Sequence, residues 1–252
     1  MSLRIQLVGH ATFLIELGGQ RIVTDPWFAD RIGIPFRFFN LRRSDSPGVS
    51  GEIPSVDLIL CSHRHADHFN LNDLARMNRS AEVFVADKWM KRKLGAMGYR
   101  NVNVVRPWDK KDLGSVAVSA VPAIEGAEGL PQVGYVLEGS GKKIYFGGDT
   151  AYFEGFEEIG MRYQIDVALV PVDGVKILGR TVTMTPTQAA WAVRQLKAKI
   201  TIPHHYHVTS SFPGSLLHKA TGTPEQFRRE VLRVCGETAI QVLKPGEHFQ
   251  IA

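Results

Sequence analysis

The chain has 252 residues, of which 44% are hydrophobic and 22% are charged. This composition excludes an intrinsically disordered chain, and the length allows a core that needs neither disulfides nor a structural metal. Cys61 and Cys235 are the two cysteines, which excludes a disulfide framework and a CxxC metal knuckle, and the net charge of +5 favours an anionic partner only weakly.

The sequence indicates no membrane-spanning or targeting segment. Its longest apolar runs, such as residues 167–172, are much shorter than the roughly 20 residues that cross a bilayer. The first residues lack the apolar region and the cleavage site of a signal peptide. We therefore expect a cytoplasmic protein.

The first half of the chain alternates β-rich segments with amphipathic ones. The predicted strands are residues 5–8, 12–17, 21–24, 56–62, 83–86, 102–105 and 116–121, and the predicted helices are residues 71–77 and 88–97. Gly18 and Gly19 supply the turn of a tight hairpin, and Asn70 is a plausible N-cap. Residues 28–52 break the periodicity, and we interpret them either as a flap packed on the core or as a substrate lid.

The second half continues the alternation. The predicted strands are residues 133–138, 143–146, 167–172, 200–203 and 240–243, and the predicted helices are residues 156–162, 186–198 and 224–234. Thr185 and Thr223 are the expected caps of the last two helices, each followed by a proline. Interleaved strands and helices predict a mixed α/β protein, and because no repeat or linker is found, we expect one domain over residues 1–252.

Residues 62–68, with the sequence SHRHADH, directly follow a buried type of strand. Imidazole nitrogens and carboxylate oxygens are ordinary ligands of Zn²⁺ and similar ions. A turn at the end of a strand can direct His63 and His65 at one ion while Asp67 and His68 face a second. The spacing therefore predicts a site for two metals.

These residues resemble the signature of the metallo-β-lactamase superfamily, and the resemblance covers nearly the whole chain. Gly148-Asp149 is similar to the motif whose aspartate bridges both metals, and His205 corresponds to the histidine that completes the second site, with His204 as the alternative. The opening residues 8–16 and residues 23–26 resemble the branch that includes ascorbate-6-phosphate lactonase and N-acyl-phosphatidylethanolamine phospholipase D. The resemblance implies an αββα sandwich with the metals at a shared edge of its two sheets.

One position departs from this branch, in which a histidine completes the first site. Here residues 121–124 are followed by Glu125. A glutamate can ligate through oxygen, which would extend the metal preference from Zn²⁺ toward Mn²⁺ or Fe²⁺. The alternatives are a weak or empty first site and a solvated loop carboxylate.

Paired ions about 3.5–4 Å apart would hold a hydroxide between them as the nucleophile. Asp67 is the residue expected to orient this water or accept its proton. The resemblance suggests that His10 and Asp25 support the site or contact substrate, and Tyr206 is a candidate donor to the leaving group.

We therefore expect a metal-dependent hydrolase acting on a small or medium-sized, anionic ester, lactone or phosphodiester. The alternatives are a nuclease of the same superfamily, although nucleic acid is not the favoured partner, and a non-catalytic metal-bound sensor or binding protein. The positive cluster at Lys88, Lys91, Arg92 and Lys93 is most simply a solvated helix face, but it also favours an anionic substrate. The sequence leaves peripheral lipid contact and a homo-oligomer open.

Overall fold

A computed structural model describes residues 2–29, 31–33, 40–43, 53–124, 126, 129–177, 180–206, 208–210 and 218–251. Its first large sheet has seven strands in the order β20-β1-β2-β3-β6-β7-β8. These strands are β1 (Leu3–Gly9), β2 (Thr12–Leu17), β3 (Gln20–Thr24), β6 (Leu58–Cys61), β7 (Glu82–Val85), β8 (Val102–Val104) and β20 (His248–Ile251). The strands β3, β6, β7 and β8 pair in parallel, and β1, β2 and β20 add antiparallel neighbours.

The second large sheet also has seven strands, in the order β19-β16-β13-β12-β11-β10-β9. They are β9 (Lys110–Asp112), β10 (Val116–Pro122), β11 (Val133–Gly139), β12 (Lys142–Phe146), β13 (Val167–Pro171), β16 (Ile200–His204) and β19 (Ala239–Ile240). There are also two small three-stranded sheets. One contains β4 (Arg31–Gly33), β5 (Asn40–Arg43) and β17 (Val208–Ser210). The other contains β14 (Lys176–Ile177), β15 (Arg180–Thr181) and β18 (His218–Lys219).

The structure places five helices among its described residues, most with the caps that the sequence predicts. They are α1 (Leu71–Arg76), α2 (Lys88–Ala96), α3 (Phe156–Tyr163), α4 (Pro186–Leu196) and α5 (Pro224–Val234). Asn70 accepts hydrogen bonds from the first turn of α1, and Thr185 and Thr223 form capping boxes. None of these helices is long and apolar enough to cross a membrane.

Alternation along the second sheet explains why helices cover only its outer face. In β13, Val167 and Leu169 belong to the core between the two sheets, whereas Ala168 and Val170 pack in a second core with α3, α4 and α5. Successive strand residues point to opposite faces, so one strand feeds two cores. The first sheet is covered by α1 and α2, whose buried residues include Leu94. The predicted αββα sandwich is confirmed.

The tight hairpin turn forms as the sequence predicts, whereas several short strands differ from the prediction. Gly18 and Gly19 have φ angles of 59° and 80° and close the predicted hairpin. The prediction that residues 28–52 lack regular structure is wrong for β4 and β5, because β5 pairs with β4 on one side and with β17 on the other. The predicted strand at residues 240–243 is shorter, and β9 and β20 were not predicted.

Candidate metal centre

The candidate site lies where strand ends from both large sheets meet. The strands β1, β3 and β6 run in the same direction and end next to His10, Asp25 and the Ser62–His63 pair. Likewise β12, β13 and β16 are parallel and end before the loops of the second sheet. The backbone N–H of His205 donates to the carbonyl of His10 at 3.2 Å and so joins the two edges.

The first group of candidate ligands consists of His63, His65 and Asp149, whose ligand atoms all lie within 4.8 Å of one another. The Nε2 atom of His63 is 2.8 Å from Nδ1 of His65. His63 is fully buried, and the other two side chains are half-buried. The two imidazoles therefore direct nitrogen atoms at one point beside a carboxylate.

The second group consists of His10, Asp67, His68 and His205, within the same mutual distance. Nε2 of His68 lies 3.2 Å from Nε2 of His205 and 3.6 Å from Oδ2 of Asp67. Asp149 lies between the groups, since its oxygens are 3.2 Å from Nε2 of His205 and 3.9 Å from Nε2 of His68.

Three of the histidines have hydrogen-bond partners at Nδ1, the ring nitrogen opposite Nε2. His68 donates to Oδ2 of Asp25 and His205 donates to Oδ2 of Asp173, both at 2.7 Å. The hydroxyl of Ser62 donates to Asp25 at 2.6 Å and lies 2.9 Å from Nδ1 of His63. A histidine that donates from Nδ1 presents the lone pair of Nε2 to the site, as metal-ligating histidines do.

The backbone at the site is held in a conformation that non-glycine residues rarely adopt. His10, Asp25 and His205 have φ angles of 56°, 36° and 67°. Such conformations cost of order 1–3 kcal/mol each and persist where the surroundings impose them. Each of the three follows the end of a strand, so the left-handed turn directs the side chain into the space between the sheets.

Burial and charge shift the ionisation of the site. Burial and the neighbouring His205 hold the pKa of His10 well below its ordinary value. Burial alone would raise the pKa of Asp67, but His68 and His10 outweigh it and hold this pKa well below the ordinary range. Burial lowers the pKa of His205, yet the carboxylates beside it outweigh burial and raise it to about 10. The pKa values of His10 and His205 are therefore shifted in opposite directions, the first by burial and the second by the carboxylates beside it.

The donor set fits divalent metal ions. Oδ1 of Asp149 is buried and has no hydrogen-bond partner, although it lies among imidazole nitrogens. A buried charge needs an ion pair, hydrogen bonds or a metal. Imidazole and carboxylate donors suit Zn²⁺, Mn²⁺ and Fe²⁺.

Most of the predicted site residues lie together. The structure brings together His10, His63, His65, Asp67, His68, Asp149 and His205. His204 is not among them, because its ring packs between Phe13 and Phe146, with centroids 5.6 Å away in both cases. Glu125 lies outside the described residues, so its predicted role as a ligand stays a prediction.

Tyr206 is predicted to donate to the leaving group, and this role stays a prediction. Its hydroxyl donates to the backbone carbonyl of Leu243 at 3.1 Å, and its ring packs against the outer core of the second sheet. The hydroxyl proton is therefore used to hold a neighbouring loop.

The sequence prediction missed Asp173, which follows β13 at the same edge as the candidate ligands. Its Oδ2 accepts from His205 and its Oδ1 accepts from Thr183 at 2.6 Å. A carboxylate directly after a buried parallel strand was the available signal. The role of Ser62 beside His63 was missed as well, although a hydroxyl next to a candidate ligand is visible in the sequence.

Comparison with known proteins agrees with this geometry. A profile of the beta-lactamase superfamily domain matches residues 20–206. A UPF0173 metal-dependent hydrolase of Aeropyrum pernix is 31% identical and covers 98% of this chain and 97% of its own length. A UPF0173 metal-dependent hydrolase of Caldivirga maquilingensis is 30% identical over 96% of each chain.

Solved structures show the same fold at lower identity. Igni18, a metallo hydrolase from Ignicoccus hospitalis, superimposes with a TM-score of 0.75 at 23% identity, covering 100% of this chain and 99% of its own. An isothiocyanate hydrolase from Delia radicum gut bacteria superimposes with a TM-score of 0.76 at 17% identity, covering 98% of each chain. The sandwich and the histidine–aspartate edge therefore define a protein of metallo-β-lactamase type. The chain belongs to the beta-lactamase superfamily and, within it, to the UPF0173 metal-dependent hydrolases.

Proposed function

We propose that this metal-dependent hydrolase holds a pair of divalent ions and cleaves an ester, lactone or phosphodiester bond in a small, anionic molecule. The observation that carries the proposal is the position of Asp149. This carboxylate groups with His63 and His65, and its oxygens also approach His68 and His205. A carboxylate shared by two ligand groups is suited to a two-metal site.

His63, His65 and Asp149 would hold one ion, with Glu125 as a further proposed ligand. Asp67, His68 and His205 of the second group would hold the other together with Asp149, which approaches both histidines. His10, the fourth member of that group, hydrogen-bonds to Asp67 instead. Zn²⁺ is the first candidate because its usual ligands are those present, and Mn²⁺ and Fe²⁺ suit the same donors. Among the described residues, neither cysteine joins these groups.

The chemistry that such ions supply when bound is activation of water near neutral pH and neutralisation of charge on the attacked centre. We assign to Asp67 the role of accepting the proton of the attacking water, because its low pKa keeps it ionised and its Oδ2 lies among the candidate ligand atoms. A general base must lie within hydrogen-bond reach of the proton it accepts.

His10 positions this base. Its Nε2 is 3.1 Å from Oδ2 of Asp67, and its buried Nδ1 has no hydrogen-bond partner. The neutral ring that burial favours would therefore keep its proton at Nε2 and donate it to Asp67. Trp27 packs edge-on against the ring, with centroids 5.3 Å apart, and holds its orientation.

The test is turnover of activated substrates by metal-loaded protein. We expect hydrolysis of p-nitrophenyl acetate or bis(p-nitrophenyl) phosphate that is lost on chelation and restored by Zn²⁺ or Mn²⁺. His205→Leu should reduce kcat at least a hundredfold, because it removes a proposed ligand and the hydrogen bond that Oδ2 of Asp173 accepts.

The neighbouring histidine provides a matched control. His204→Leu makes the same chemical change one residue away, in a site between two phenylalanines, and should leave activity within about threefold. Equal losses in both variants would contradict the assignment of His205. Activity that survives complete removal of metal would contradict the proposed function.

A further inference from the structure

A tryptophan with two cations over its ring lies beside the candidate metal centre. Arg64 is exposed and stands between His63 and His65 in the chain, and its Cζ is 5.8 Å from the ring centroid of Trp89. Nζ of Lys93 is 5.4 Å from the same centroid. Both distances are within the range of cation–π attraction, about 6 Å.

The position of this ring is tied to the turn that contains the candidate ligands. Trp89 is half-buried and packs on Phe69, with ring centroids 6.2 Å apart. The backbone N–H of Phe69 donates to the carbonyl of His65 at 2.7 Å. The indole is therefore fixed against the turn, at the rim of the metal centre.

The two cations have no acidic partner among the described residues, unlike some other basic residues of the surface. Arg162, for example, pairs with Glu158, and Arg233 pairs with Glu230. The first turn of α2 holds no acidic residue that could balance Lys93. Two like charges near one ring raise the local positive potential, and an anion bound beside the ring would offset it.

We infer that Arg64, Trp89 and Lys93 form a rim subsite that binds one anionic group of the substrate, a phosphate or a carboxylate. The inference rests on the proposed function, since the subsite would orient a molecule whose scissile bond lies at the metals. A guanidinium can hold either group through two parallel hydrogen bonds, and the ammonium adds a second charge. Two cations at one ring match a single anionic group, whereas a nucleic acid requires a row of phosphate contacts.

The helix offers a matched pair of variants. Trp89 and Lys93 are four residues apart and share a face of α2, whereas Lys91 is two residues from each and projects from the other side. Lys93→Gln and Lys91→Gln therefore remove the same charge from the same helix, and only the first touches the rim subsite. Lys93→Arg tests whether a restored charge rescues the defect.

The substrates are also a matched pair. We would compare p-nitrophenyl acetate with the mono-p-nitrophenyl ester of succinate, which has the same leaving group and an added carboxylate. In Lys93→Gln we expect KM for the succinate ester to rise about three- to tenfold, with kcat and the acetate reaction unchanged. Lys91→Gln should leave both reactions unchanged, and Lys93→Arg should restore KM.

A KM for the succinate ester that is the same in Lys93→Gln and Lys91→Gln would overturn the rim subsite. It would not affect the proposed hydrolase activity. If the native protein cleaves neither ester, the carboxylic ester is excluded as the scissile bond, and calorimetric titration of succinate into the metal-loaded protein tests the subsite alone. A three- to tenfold weaker Kd in Lys93→Gln then supports it, and an unchanged Kd overturns it. Salt-sensitive binding of single-stranded RNA that depends on Lys93, without discrimination between the esters, would also overturn it.

Discussion

The hydrogen bond between Asp173 and His205 allows a specific prediction about the metal centre. Asp173→Asn keeps the size of the side chain and removes the charge that accepts from Nδ1 of His205 at 2.7 Å. Both side chains are only 5% exposed, so water cannot easily replace the lost interaction. The asparagine can also present an N–H toward Nδ1, which would favour the wrong tautomer of the ring.

The size of the effect follows from this contact. A buried hydrogen bond to a charged group contributes about 1.5–3 kcal/mol, which corresponds to about 10- to 150-fold in an equilibrium constant. Changing a partner behind a metal-ligating histidine typically weakens metal binding by about 10- to 100-fold. We therefore expect the affinity for the ion that His205 would hold to fall about 10- to 100-fold in Asp173→Asn.

Metal affinity is best measured by competition with a chromophoric chelator, with metal content determined after dialysis. Asp166→Asn is the control, because Asp166 precedes the same strand at its opposite end and accepts from Lys199 and the backbone of Lys143. That variant should bind metal as the native protein does. Native affinity in Asp173→Asn would refute the idea that this carboxylate positions His205.

Three smaller perturbations test other parts of the account. Gly148→Ala should cost more stability than Gly141→Ala in thermal unfolding, because both glycines have positive φ but only the first would place a Cβ 2.6 Å from a side-chain atom; equal losses would contradict this. Lys111→Met should lower the free energy of unfolding at pH 7 by less than about 1 kcal/mol. Burial raises the pKa of Glu82, but the bond from Lys111 outweighs burial and depresses this pKa. The stabilisation therefore exists above the ordinary value of 4.5 and is lost as the pH falls below that value. A stability difference between the variant and the native protein that grows in acid would contradict this. Tyr206→Phe should cost about 1 kcal/mol of stability and leave kcat within about twofold, whereas a large loss of kcat would restore Tyr206 as a catalytic donor.

The candidate ligands could be predicted from sequence where the information is local. The spacing of His63, His65 and His68 after a buried strand is visible without a structure, and a strand end followed by a turn is sufficient to group them. Asp149 was predicted from a resemblance to a known motif, and in the structure it groups with His63 and His65.

The remaining features depend on contacts between distant parts of the chain. Which of His204 and His205 faces the site is decided by the left-handed backbone at His205, which the residue type does not indicate. Asp173 supports a histidine 32 residues away, a contact that exists only after β13 and β16 pair. The strands β4 and β5 have no clear periodicity, and β5 pairs both with β4 and with the distant strand β17.

The central claim is that two groups of side chains share Asp149 and hold a pair of ions. Metal content per chain, measured by mass spectrometry after loading and extensive dialysis, tests it most directly. The account predicts about two equivalents for the native protein and fewer for Asp149→Ala, with the Asp166→Asn protein retaining both. A single tightly bound equivalent in the native protein, unchanged in Asp149→Ala, would contradict it.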